Sequence, residues 1–335
     1  MGPEERELAP GSFALDAVFE RLAPVRIEEE GVRLAEDPEY LHRMRVATRR
    51  LRSALPLLSE SVSRGDLAAW SREVRRFTQV LGKARDGDVQ GFFVAEFLKN
   101  NHDDLRRPGL ERLHLRLVQR RRGLQKRLDR EMDRMFHHGG VLEGLENELR
   151  RQRVTRALEG APAVSSSLRR QGATMLLLRL EALVGGSQTL ARPRDVTGHH
   201  ALRILAKKLR YTMELFAPLL EHAGGEGSPA ELLRKVKALQ GTLGDLHDCD
   251  LWIQSLPLFL EEERRRTEAY YGHLRSFPRL EKGIVSLLED RRQSRDPLFS
   301  LAVEVWRSWE EERTTETLRE RFRALAGERK GGEAL

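Results

Sequence analysis

Residues 41–58, LHRMRVATRRLRSALPLL, constrain the fold more than any other stretch, because they read as one helix with two opposed faces. At 3.6 residues per turn, Met44, Ala47, Leu51, Ala54, Leu55 and Leu58 share one side. His42, Arg45, Arg49 and Arg52 occupy a narrow arc on the other, flanked by Arg43 and Arg50. No acidic residue interrupts the run between Glu39 and Glu60. A solvated helix face ordinarily mixes Glu with Lys or Arg at i,i+4, since those pairs stabilise it. A face of like charges repels itself instead, and points to an anionic partner.

The chain carries this helix twice. Residues 200–216 read HALRILAKKLRYTMELF. His42 aligns with His200, Arg45 with Arg203, Arg49 and Arg50 with Lys207 and Lys208, and Arg52 with Arg210. The apolar positions coincide too: Met44 with Leu202, Ala47 with Leu205, Leu58 with Phe216. A second motif follows each copy, LGKARDGD at 81–88 and LGDLHDCD at 243–250. Ahead of it, Arg72, Val74, Arg75 and Phe77 match Arg234, Val236, Lys237 and Leu239. Two copies of both motifs in the same order indicate a duplicated unit.

Turn and cap signals give the coarse organisation. Helices are expected at 12–31, from Pro38 through the basic segment, at 66–82, from Asp86 or Asp88 to Phe97, at 105–136 and at 141–158. Gly160-Ala161-Pro162 is the expected boundary between halves spanning 12–160 and 164–325. The second half is expected to be helical at 165–184, in the second basic segment, and at 230–241, 249–271, 280–291 and 296–324, with 326–335 a disordered tail. Asp37 is the expected cap of the first basic helix, with Pro38 at its first position, and Thr197 that of the second. No sustained period-2 alternation is present, so the fold class is all-α.

The charge supports an anionic ligand. The chain of 335 residues carries a net charge of +7, which favours anionic partners. Guanidinium forks match phosphate oxygens bidentately. From position 42 to 52 the row spans about 15 Å at about 1.5 Å per residue, long for one phosphate and suited to a chain of them. On the 105–136 helix, Arg112, Arg116, Arg120, Arg127, Arg130 and Arg134 form a further basic side. Arg72, Arg116, Arg120 and Arg234 are candidates for a secondary basic face. Aromatic residues make up 6% and do not interleave with the rows, which weakens single-stranded nucleic acid as the ligand.

Other chemistries fit less well. A single His at the head of each row supplies too few ligands for a metal, and the surrounding cations oppose one; no metal and no cofactor are expected. Asp86/Asp88 and Asp248/Asp250 have the look of Mg²⁺-binding D-x-D pairs. Helix capping, or support of the arginines, is the simpler reading, because each pair follows a glycine. Cys249 lies within one pair but Gly87 is its counterpart, so a catalytic thiol is not expected. With one cysteine, no apolar run of about 20 residues and an acidic, polar N-terminus unlike a signal peptide, the expected location is cytoplasmic.

At these residues the chain resembles the CHAD family, the conserved-histidine α-helical domain. The resemblance rests on H-x-x-R-x-x-x-[RK]-[RK]-x-R and on the L-G-x-x-R-D-x-D motif, each present twice, and covers about residues 12 to 325. It implies two tandem four-helix units with pseudo-twofold symmetry and a basic cavity between them that binds inorganic polyphosphate. The implied contacts are His42, Arg45, Arg49, Arg50, Arg52 and Arg75, with His200, Arg203, Lys207, Lys208, Arg210 and Lys237. One position departs from the pattern: His247 stands where Arg is expected, opposite Arg85. Some members are fused to a triphosphate-tunnel domain; no E-x-E-x-K strand is found here, so a stand-alone binding module without catalysis, associated with polyphosphate granules, is the expectation. Nucleic-acid binding is the first alternative. A metal-dependent phosphohydrolase or phosphotransfer protein using His42, His200 and the D-x-D pairs is the second.

Overall fold

A computed structural model describes residues 10–101, 103–158, 166–223 and 226–326. It is all-α, with no strand among the described residues. The first half contains α1 (Pro10–Phe19), α2 (Ala23–Ile27), α3 (Glu29–Leu34), α4 (Pro38–Ala54), α5 (Arg64–Asn100), α6 (Arg107–Phe136) and α7 (Val141–Leu158). The second contains α8 (Ser166–Gly186), α9 (Val196–Glu221), α10 (Pro229–Tyr271), α11 (Phe277–Glu311) and α12 (Thr314–Leu325). The basic segments are α4 and α9. Each is followed by two long helices and a shorter one. No helix among the described residues is long and apolar enough to cross a membrane. The expected boundary at 160–162 and the expected tail from 327 onward lie outside the described residues.

Two compact units divide the chain. One comprises the described residues within Met1–Glu96 and His114–Leu168, the other those within Phe97–Leu113 and Arg169–Leu335. In the first, the apolar side of α4 does what its spacing predicts: Met44, Ala47, Leu51 and Ala54 are buried, and Leu55 and Leu58 follow in a 3-10 turn that begins at Leu55, just before Pro56. Phe77 of α5 meets the edge of Phe136 at 6.1 Å between ring centres. Arg76 ties α5 to α6 through the buried Glu131 at 2.6 Å. In the second unit, Leu202, Leu209 and Phe216 of α9 are buried, as are Leu239, Leu243 and Leu246 of α10. The 97–113 segment packs there by close backbone approach. A Cβ on Gly109 would run into the Leu280 carbonyl, and one on Gly283 into the Arg106 carbonyl.

The expected breaks inside the long helices do not occur. α5 runs unbroken through Gly82, Asp86 and Asp88, and α10 through Gly244, Asp248 and Asp250. A helix interior tolerates glycine at about 1 kcal/mol relative to alanine, and the buried series Val74, Phe77, Leu81, Ala84 continues through Gly82 in register. α10 likewise keeps Val236, Leu239, Leu243, Leu246 and Cys249 buried across Gly244. The expected 12–31 helix, conversely, is divided among α1, α2 and α3, and α3 ends at Ala35 in the left-handed conformation (φ 55°).

Candidate anion-binding site

The first row begins at a helix start built as expected. The Asp37 carboxylate accepts from the Glu39 N–H at 2.8 Å, and Pro38 occupies the first turn. The second row starts differently. Asp195, not Thr197, caps α9, accepting from the Gly198 N–H at 2.9 Å and from the Thr189 hydroxyl at 3.0 Å. Those bonds hold the Asp195 carboxyl below the usual carboxylate range, the backbone bond most strongly. A carboxylate accepts two donors here at once, which a Thr hydroxyl would do less strongly.

On α4, His42, Arg45 and Arg49 are half-buried, while Arg50 and Arg52 are exposed. Arg43 is turned to the scaffold: its guanidinium donates to Glu28 at 2.9 Å and lies over the Tyr40 ring at 4.6 Å. Arg45 reaches toward α5, 3.5 Å from the Asp86 carboxylate, beside Gly82, where a Cβ would stand 3.6 Å from Arg45 Nε. Arg85 pairs with Glu39 at 3.3 Å. Arg75 is exposed on α5, and Arg72 lies 4.0 Å from Glu73. On α6, Arg116 donates to Gln119 at 3.1 Å, and Arg120 is exposed. His42 is held below the ordinary imidazole range, chiefly by burial, then by Arg85; Glu39 opposes the shift.

On α9 the same arrangement recurs with two differences. Arg203 stands by Gly244 as Arg45 stands by Gly82, a Cβ there lying 3.8 Å from Arg203 Nε. Lys207 is half-buried and Lys208 exposed. The first difference is an internal carboxylate. Arg210 lies 3.3 Å from Glu214 and donates to Gln240 at 2.8 Å, and Lys237 approaches Glu214 at 3.7 Å. Glu214 is four residues beyond Arg210, a spacing that could have revealed it in the sequence. The second is at the head of the row, where His200 and His247 face each other with Nδ1 atoms 3.2 Å apart and ring centres 4.3 Å apart. Arg234 is engaged with Glu231 at 3.8 Å.

Of the two roles expected for the D-x-D carboxylates, capping or support of arginines, capping fails because both motifs lie inside continuous helices. Asp86, Asp88 and Asp250 contact arginines. Asp88 bonds Arg121 Nε at 2.7 Å, and Asp250, 3% exposed, bonds Arg295 Nε at 2.6 Å. Arg295 also donates to the Pro193 carbonyl at 2.8 Å. Burial raises the Asp88 carboxyl above its usual range against the pull of Arg121. Arg121 and Arg295 were not distinguishable in the sequence from the many other arginines. Residues two apart on a helix project about 200° apart, so the two carboxylates of one pair do not converge on a single ion. Among the described residues no three His, Cys, Asp or Glu side chains gather as a metal site. Cys249 is buried, and burial pushes its thiol up, away from the thiolate that nucleophilic chemistry requires.

The chain is similar to several known proteins. The chain is 30% identical over 238 residues to two Mycobacterium tuberculosis proteins described as uncharacterized, MT2285 and Rv2226; the match covers 69% of this chain and 42% of each relative. This chain therefore spans less than half the length of those relatives. The solved CHAD domain from the plant Ricinus communis is similar in fold, with a TM-score of 0.61 at 19% identity, covering 89% of this chain and 93% of that one. PptA from Streptomyces chartreusis is also similar, with a TM-score of 0.57 at 12% identity over 89% and 99% of the two chains. The CHAD domain family description matches residues 16–257, through both basic helices and both glycine–aspartate motifs. With those residues matched in order, the chain belongs to the CHAD domain family.

Proposed function

We propose that the two basic rows bind inorganic polyphosphate without turning it over. The observation that carries this reading is the paired construction of the rows. In each half, an arginine of the basic helix lies beside a glycine of the next long helix. In each half, too, an aspartate of that long helix, half-buried Asp88 or buried Asp250, is engaged by an arginine of the helix after it. The scaffold arginines Arg43, Arg76, Arg121 and Arg295 pair with carboxylates; along the rows Arg50, Arg52, Arg75, Lys208 and Lys237 are exposed, Lys237 also standing 3.7 Å from Glu214. A linear run of phosphates offers acceptors at intervals along such a row, and hydrogen bonds to charged groups contribute roughly 1.5–3 kcal/mol each. Family membership supports the same ligand class. Association with polyphosphate granules is part of the proposal.

The absence of turnover rests on the separate engagement of Asp86, Asp88 and Asp250 by arginines and on Cys249, whose thiol burial pushes up. Incubating the purified chain with long-chain polyphosphate and Mg²⁺ or Mn²⁺ tests it: no sustained phosphate release is expected. Release that disappears in D86N or D248N would identify a phosphohydrolase instead. Ligand class is tested by competition among long-chain polyphosphate, RNA and duplex DNA at several salt concentrations. Polyphosphate should displace both nucleic acids at equal phosphate concentration. The converse ranking would make this a nucleic-acid binder.

A further inference from the structure

The first half places Arg85, a permanent cation paired with Glu39, next to the head of its row. The second half places His247 at the matching position, in contact with His200 through the two Nδ1 atoms at 3.2 Å. We propose, on the footing of the polyphosphate reading, that His247 is a further ligand-contact residue of the second row, and that the His200–His247 pair takes up one proton when a phosphate chain binds there.

The geometry permits one proton and disfavours two. With both rings neutral, one Nδ1 donates and the other accepts. Adding a proton to the outer nitrogen of the donor ring, or to the acceptor ring after exchange, leaves an N–H···N bond between imidazolium and imidazole. A second proton would set two N–H groups against each other across the same 3.2 Å and break the contact. The charges that bear on the pair are Arg203 and Lys207 of α9. From α11, packed on α10, Arg291 approaches Cys249 and Arg295 bonds Asp250. Burial first, then Arg203, hold His247 down to about 4, and burial followed by Arg203 and Lys207 lowers His200. Both rings are therefore neutral near pH 7 without a ligand. An anion against Arg203 and Lys207 offsets the cations that depress the rings, so protonation becomes easier in the complex than in the free protein. Binding and protonation then favour each other, and affinity rises as pH falls. At the position matching His247 the first row carries Arg85, a permanent cation, so proton linkage at that position belongs to the second row alone.

The test is calorimetric titration of the full chain with long-chain polyphosphate at pH 6.5, in two buffers of different ionisation enthalpy, for the parent, H247R and H247Q. The parent should take up as much as one proton more than either variant. Its affinity should gain up to about tenfold per pH unit on lowering pH, for each proton taken up, and both variants should lose that part of the slope. Ring-proton NMR of the parent, with and without polyphosphate, reads the same shift without a substitution: the His200 and His247 titrations should move upward on binding. Binding with equal proton uptake in all three proteins and no movement of those titrations would overturn the inference alone. No binding by the parent at any pH would overturn the polyphosphate reading, and this inference with it.

Discussion

At the residue scale, the rows are cationic surfaces built on buried ion pairs, and the two kinds of arginine look alike in sequence. Arg45, Arg49 and Arg52 were legible because they share an arc and recur as Arg203, Lys207 and Arg210. Arg121 and Arg295 were not, since their partners Asp88 and Asp250 come from another helix and pair with them only after folding. Removing Arg295 leaves Asp250 buried without its partner, and breaking a buried pair in this way costs about 3–5 kcal/mol. R295M should therefore lower the denaturation midpoint far more than R52A, whose side chain is exposed; equal shifts in urea unfolding would contradict this assignment. A second prediction concerns pH without ligand. His42, His199, His200 and His247 are all lowered, burial being the largest cause for each. A depressed imidazole contributes stability that is present above its unfolded value near 6.5 and is lost as pH falls toward the folded value, about 4 for His247. Urea unfolding measured from pH 8 to 4.5 should show falling stability below about 6.5, with a shallower fall in H247Q. Parallel curves would show that His247 does not titrate differently on folding.

At the scale of the element, helix type and most helix positions followed from the 3.6-residue period, as did the Asp37–Pro38 start of α4. The continuity of α5 and α10 did not. Gly82 and Gly244 read as stops, yet each lies where an arginine of the basic helix comes against the long helix, and the apolar period on either side never breaks. Pro257 and Pro297 sit inside α10 and α11, as the expected helices at 249–271 and 296–324 allowed, with tertiary packing outweighing the lost hydrogen bond. Gly109 and Gly283 serve another purpose, allowing α6 and α11 to meet backbone to backbone. G283A should destabilise the protein by about 1–3 kcal/mol through overpacking, whereas Ala at Gly241, which has open space around it, should be neutral or slightly stabilising. Thermal melts of the two variants give the comparison. Equal melting temperatures would mean that the close approach is not a constraint.

Across the whole molecule, the all-α class and membership of the CHAD domain family were legible because both motifs recur in order, with His247 the one departure. The inequality of the halves was less so. Glu214 partly neutralises the end of the second row at Arg210 and Lys237, and a histidine pair stands at its head. A net charge of +7 sets a general attraction for polyanions, so binding should weaken steeply with salt; charge alone would not single out the rows. The deciding measurement is calorimetric titration of three proteins with long-chain polyphosphate and with orthophosphate: the parent, the triple variant R45A/R49A/R52A, and the triple variant R203A/K207A/R210A. Each triple variant should bind the long chain more weakly by orders of magnitude, with far less change toward orthophosphate. Long-chain binding like the parent's in either variant would contradict the claim that both rows hold the ligand.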